Sequence, residues 1–163
     1  MTTQEFKQLF DRYFDAVRSY IYYRSGDQEL ATDIAQDTFM RLWEKQIAYH
    51  PKENVGLIYK IASDLFISRY RRQVVEQNFR KEITLHYNDE NSPEEQMQYS
   101  ELKEKYERAL AQLSEKQRVV FLMSRTEGLK YYEIAERLGV SVKAVEKRMN
   151  HALSALKEKL QLS

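Results

Sequence analysis

Cysteine is absent from the sequence, which excludes a disulfide framework, a thiolate metal site and a cysteine nucleophile, and fits a reducing compartment such as the cytosol. Breakers are scarce, with two prolines and four glycines, and the apolar residues recur at helical spacing almost everywhere. The fold is therefore expected to be all-α. No apolar run is long enough to span a bilayer, and the start, MTTQEFKQLFDRYF, spreads charges among its apolar residues instead of placing an apolar core behind a basic head. Neither secretion nor membrane insertion is expected. A net excess of charge is lacking too: 26 Lys and Arg stand against 25 Asp and Glu, for a formal charge of +1. Any argument for a polyanionic partner must come from where the charges lie. No Gly-rich phosphate loop, His-x-x-x-His pair or nucleophile motif occurs, and His50, His86 and His151 show no ligand spacing. Catalysis, a metal and a cofactor are not expected.

What is present is a succession of amphipathic helices. Phe6, Leu9, Phe10, Tyr13, Phe14, Val17, Tyr20 and Ile21 step by three and four, giving a first helix one wide apolar stripe. Ser25-Gly26 marks its end, and Asp27 can cap the next helix, which runs through Ile34, Ala35, Thr38, Phe39, Leu42 and Trp43. Residues 49 to 54 interrupt the pattern. A third helix then buries Leu57, Ile58, Ile61, Ala62 and Leu65, with Arg69, Arg71 and Arg72 extending from its end. Residues 86 to 92 lack apolar periodicity and carry turn-favouring types. The chain is therefore divided into two small helical domains, 1–85 and 99–163, with a linker over 86–98. Within that linker Ser92-Pro93-Glu94-Glu95 opens the next helix by a capping serine, a proline at the first helical position and a glutamate three residues after the cap.

The C-terminal domain carries a helix-turn-helix pattern. Three apolar-periodic segments follow Ser114: Lys116 to Glu127 closed by Gly128, Tyr131 to Leu138 closed by Gly139, and Val142 onward capped by Ser141. Gly139 suits the tight turn between the last two, and Ala135 is small enough for close helix approach. On the last helix Val142, Val145, Met149, Ala152, Leu153 and Leu156 share the face expected to pack inward. The opposite face offers Lys143, Lys147, Asn150 and His151, flanked by Glu146 and Arg148. Such donors and acceptors suit base edges in a major groove.

Leu113-Ser114-Glu115-Lys116-Gln117-Arg118-Val119 through Ser141-Val142-Lys143-Ala144-Val145-Glu146 resembles two families, sigma-factor region 4 and the DNA-binding domain of LuxR-type regulators. The first half separates them. Ala31-Thr32-Asp33-Ile34-Ala35-Gln36-Asp37-Thr38-Phe39-Met40-Arg41-Leu42-Trp43 looks like the polymerase-binding helix of sigma region 2, and LuxR-type proteins have no such segment there. Leu57 to Leu65, running into Arg69-Tyr70-Arg71-Arg72, is similar to the promoter-melting helix of the same region. With two regions joined by a short linker, the chain resembles an extracytoplasmic-function sigma factor over nearly every residue.

That resemblance implies core RNA polymerase and promoter DNA as partners, and an anti-sigma factor as an inhibitor common in the family. It assigns Asp33, Gln36, Asp37 and Met40 to the clamp helices of the polymerase's largest subunit. It assigns Tyr49, His50, Lys52 and Asn54 to the loop that captures an unstacked base of the minus-10 element. Lys60, Ile61 and Asp64 fall where relatives wedge and hold the melted strand, with Arg69, Arg71 and Arg72 beyond. Relatives usually carry asparagine at the position of Asp64 and aspartate at that of Ser68, and Asp64 can accept but not donate a hydrogen bond. For the minus-35 element the resemblance implies base contacts from Glu146, Lys147, Asn150 and His151, and phosphate contacts from Lys143 and Arg148. Asn150-His151 stands where many relatives carry arginine. The runner-up is a LuxR-type regulator whose N-terminal helices sense or dimerise; it would bind its operator unaided, whereas a sigma factor should co-purify with polymerase.

Overall fold

The computed structural model describes residues 1–69 and 93–161. Among them the structure is all-α, with helices α1 (Thr3–Ser25), α2 (Gln28–Glu44), α3 (Pro51–Arg69), α4 (Pro93–Gln112), α5 (Glu115–Arg125), α6 (Tyr131–Leu138) and α7 (Val142–Lys159). Local chemistry sets their ends. At α1 the Thr2 hydroxyl accepts from the Glu5 amide at 3.1 Å while the Glu5 carboxylate accepts from the Thr2 amide at 2.7 Å. The helix stops at Gly26, whose φ of 70° is left-handed. Asp27, Ser114 and Ser141 each accept from an amide in the first turn of the helix that follows, capping α2, α5 and α7. Gly139, at φ 68°, closes α6.

One boundary differs from the sequence expectation. The interruption at residues 49 to 54 is shorter than expected, because α3 begins at Pro51, where proline is pre-organised for a first helical turn. Helix α4 starts at Pro93, where Ser92-Pro93-Glu94-Glu95 was expected to open it within the 86–98 linker; residues 86–92 lie outside the described residues.

Helices α1, α2 and α3 pack around Leu9, Val17, Ile21, Ile34, Phe39, Leu42, Ile58, Ala62 and Leu65, each 3% exposed or less. Helices α5, α6 and α7, with the end of α4, pack around Leu110, Val120, Met123, Ile134, Val145, Met149 and Ala152. The two halves also meet. The end of α1 lies on α5, and α3 lies on α6, so the buried residues of both form one continuous cluster.

Candidate functional site

On α2, Ile34, Ala35, Thr38, Phe39 and Leu42 take the buried face, which leaves Asp33, Gln36 and Met40 exposed along one side and Asp37 half-exposed beside them. Asp37 is not free: its carboxylate pairs with Arg69 at the end of α3 at 2.6 Å. Gln36 and Met40 border an apolar groove lined also by Phe6, Phe10, Phe39 and Trp43. Met40 is 58% exposed, Phe10 37% and Trp43 36%. The apolar spacing of α1 put Phe10 in its buried stripe. It lies instead on the rim of that stripe, stacked on Phe14 with ring centres 4.7 Å apart.

The segment before α3 holds Tyr49 half-buried, its hydroxyl donating to Gln8 Oε1 at 2.9 Å, and leaves His50 and Lys52 exposed. Asn54, assigned by resemblance to the loop of the minus-10 element, is turned inward. It is 3% exposed, its Oδ1 accepts from the His50 amide at 2.7 Å, and its Nδ2 donates to the Ala48 carbonyl. The side chain thus satisfies backbone groups of the loop. Ile61 is buried as well. It is 6% exposed, on the same buried stripe as Ile58 and Leu65. Lys60 and Asp64 are exposed on the neighbouring face, as is Arg69. Arg71 and Arg72 lie outside the described residues.

On α7, Val145, Met149, Ala152 and Leu156 pack inward, while Lys143, Glu146, Lys147, Asn150 and His151 are all exposed. Val142 and Leu153 were expected inside and are 41% and 38% exposed, at the margins of the apolar arc. Arg148 is half-buried and lines the cleft between the halves with Arg24, Ser63 and Glu115.

That junction is built from residues the sequence reading passed over. Arg118, 2% exposed, donates to the Tyr23 carbonyl at 2.6 Å and the Arg24 carbonyl at 3.0 Å at the end of α1, and to the Leu110, Ala111 and Leu113 carbonyls at the end of α4. One guanidinium thereby serves the carbonyl ends of two helices, where a cation is favoured. Arg24 donates to Ser63 Oγ at 2.8 Å and pairs with Glu115 at 3.2 Å. Arg137 on α6 donates to the Tyr59 hydroxyl at 3.2 Å. Burial pushes the Tyr59 and Tyr23 phenols well above their usual range. Burial also raises the Glu127 carboxyl, against the lowering effects of a hydrogen bond with Tyr23 and of the Arg137 charge. The only available signal was Arg118 at an apolar-stripe position, three and four residues before Phe121 and Leu122.

Among the described residues no group of three or more His, Cys, Asp or Glu could hold one metal ion, and no helix is long and apolar enough to cross a membrane. Residues 9–75 match the family model of sigma-70 region 2, and residues 103–156 match that of sigma-70 region 4. The ECF RNA polymerase sigma factor SigW of Bacillus subtilis is similar over 96% of this chain and 89% of its own length, at 25% identity. The chain belongs to the extracytoplasmic-function sigma factors. This sigma factor is 28% identical to the RNA polymerase sigma factor YlaC of Bacillus subtilis, over 96% of the chain and 92% of YlaC. It is 29% identical to the ferric citrate uptake sigma factor FecI of Escherichia coli, over 91% of the chain and 86% of FecI. Its fold resembles that of the sigma factor RpoE from Bartonella quintana, solved in complex with the anti-sigma factor NepR, with a TM-score of 0.61, 22% identity and 99% of each chain covered. The region 2 match tells against the LuxR-type alternative. The sigma factor binds core RNA polymerase and directs promoter-specific initiation of transcription.

Proposed function

We propose that this sigma factor works in the cytoplasm, without chemistry of its own, by docking on polymerase through α2 and reading promoter DNA with α3 and α7. In this reading Asp33, Gln36, Asp37 and Met40 meet the polymerase clamp helices, and the aromatic groove beside Gln36 and Met40 extends the contact with apolar area. His50, Lys52, Lys60, Asp64 and the arginines after α3 face the melted minus-10 strand. Glu146, Lys147, Asn150 and His151 read minus-35 base edges, and Lys143 holds a phosphate. An anti-sigma factor is a further partner, by likeness to the Bartonella quintana sigma factor.

The observation that carries this reading is the two-sidedness of α7: its apolar arc is spent on the core, and every donor and acceptor of the opposite face is open to solvent. The test is transcription by core polymerase from promoters randomised in the minus-35 element, at matched salt. Lys147→Ala and Asn150→Ala are expected to relax base preference at one or two positions, each worth about 1 to 3 kcal/mol of discrimination. Even loss of activity on all templates with unchanged preference would show that this face does not read bases.

A further inference from the structure

We infer that Ile67 of α3 is the apolar wedge of promoter opening: it enters the base stack at the minus-10 element and holds the step apart while Lys60 and Asp64 keep the freed strand. The inference rests on the assignment of α3 to the melted strand and adds to it the side chain that separates the bases. Ile67 is 67% exposed, more than any other large apolar side chain described on α1, α2 or α3. One exposed isoleucine is ordinary on a protein surface. Its register gives it a role. At about 100° per residue, Lys60, Asp64 and Ile67 fall within an arc of roughly 60°, and all three are exposed. Ile61, the isoleucine placed on the strand by resemblance, lies about 120° round the helix, with Ile58 and Leu65 in the core. Arg69 is on the far side, paired with Asp37 of α2.

In that order the three side chains offer a strand a cation, an acceptor and an apolar edge. Along the axis Lys60 stands about 10 Å from Ile67, the length of about three stacked nucleotides. Asp64 lies between them, about 4.5 Å from Ile67, beside the base next to the opened step. An apolar side chain inserted between base pairs unstacks them, and it strips no polar group of its own from water in doing so. Branching at Cβ holds isoleucine close to one rotamer in a helix, so little side-chain freedom is lost on insertion. Ionised Asp64 can only accept, so it fits the amino group of an adenine or cytosine freed there. Lys60 offsets the repulsion between that carboxylate and the strand's phosphates.

The test compares two templates with core polymerase and the full chain: a promoter that is duplex throughout, and the same promoter with the minus-10 element mismatched so that it is already open. Ile67→Ala is expected to slow initiation on the duplex by about fivefold or more, with a matching delay in the fluorescence rise of 2-aminopurine placed in the minus-10 element. On the mismatched template it should stay within about twofold of the parent, because the step is already unstacked. Ile67→Leu, which keeps the apolar bulk, should recover most of the duplex rate. Lys52→Ala with Lys60→Ala should instead lower transcription from both templates, since phosphate contacts hold the strand whether or not it has just been opened. Equal duplex rates for Ile67→Ala and the parent, or the same loss on both templates with helicity unchanged, overturns the wedge and leaves α3 on the strand. Full activity of the double lysine variant on both templates takes α3 off the strand, and with it the reading on which the inference rests.

Discussion

A buried arginine whose hydrogen-bond partners are backbone carbonyls at two helix ends behaves differently from a surface cation. Replacing Arg118 by alanine leaves carbonyls of α1 and α4 facing a void, and each unsatisfied buried acceptor costs roughly 1 to 3 kcal/mol. Arg118→Ala is therefore expected to lower stability by about 3 kcal/mol or more in urea unfolding. Arg118→Lys should recover only part, because an ammonium cannot span positions that a planar fork reaches. Glu127 gives a pH effect of defined sign. Its folded pKa lies above the ordinary carboxylate value because of burial, and its Oε2 is buried without a hydrogen-bond partner among the described residues. The groups facing it are Tyr23, Arg137 and Tyr59. Below the unfolded-state pKa both states hold the proton. As pH rises towards the folded value the unfolded chain ionises first, so stability falls, and it levels off above the folded value. Glu127→Gln should flatten this fall, measured as the difference between the variant and parent stability curves across that window.

At the scale of helices, the expected stops and starts rest on residues whose physics is local. Ser25-Gly26-Asp27, Ser114, Gly139 and Ser141 act through their own backbone and neighbours within four positions, which is why the ends of α1, α6 and α7 could be placed from sequence. Gly139→Ala should cost about 1 kcal/mol in urea unfolding, since alanine pays for a left-handed φ that glycine adopts freely. Burial was legible where a stripe is narrow, as in Val145, Met149, Ala152 and Leu156. It failed at the margins, where Val142 and Leu153 stay open and where Asn54, a polar residue, goes inside to bind its own loop. Periodicity tells which face of a helix is hidden but not what hides it, so the contact of α3 with α6 could not be read in advance. The α2 face can be tested as a unit. Gln36→Ala with Met40→Ala removes two exposed side chains and should weaken core polymerase binding by at least fivefold in a titration, with helicity unchanged by circular dichroism. Equal affinity would take α2 out of the docking role.

The whole molecule couples its halves through residues far apart in sequence. Arg118 is separated from Tyr23 by 95 positions and Arg137 from Tyr59 by 78, and the buried cluster runs without a break from α1 to α7. Heating is therefore expected to give one cooperative transition followed by both near-ultraviolet and far-ultraviolet signals, whereas Arg118→Ala should split it towards two. The same long separation has a meaning in time. On a ribosome, α1, α2 and α3 are complete while residue 118 is still unmade, and chain growth at about 5–20 residues per second sets the interval before the second half can dock. Every newly made copy thus passes through an open form before it shuts. In that interval the surfaces of α1 and α3 that later meet α5 and α6 stay open to solvent.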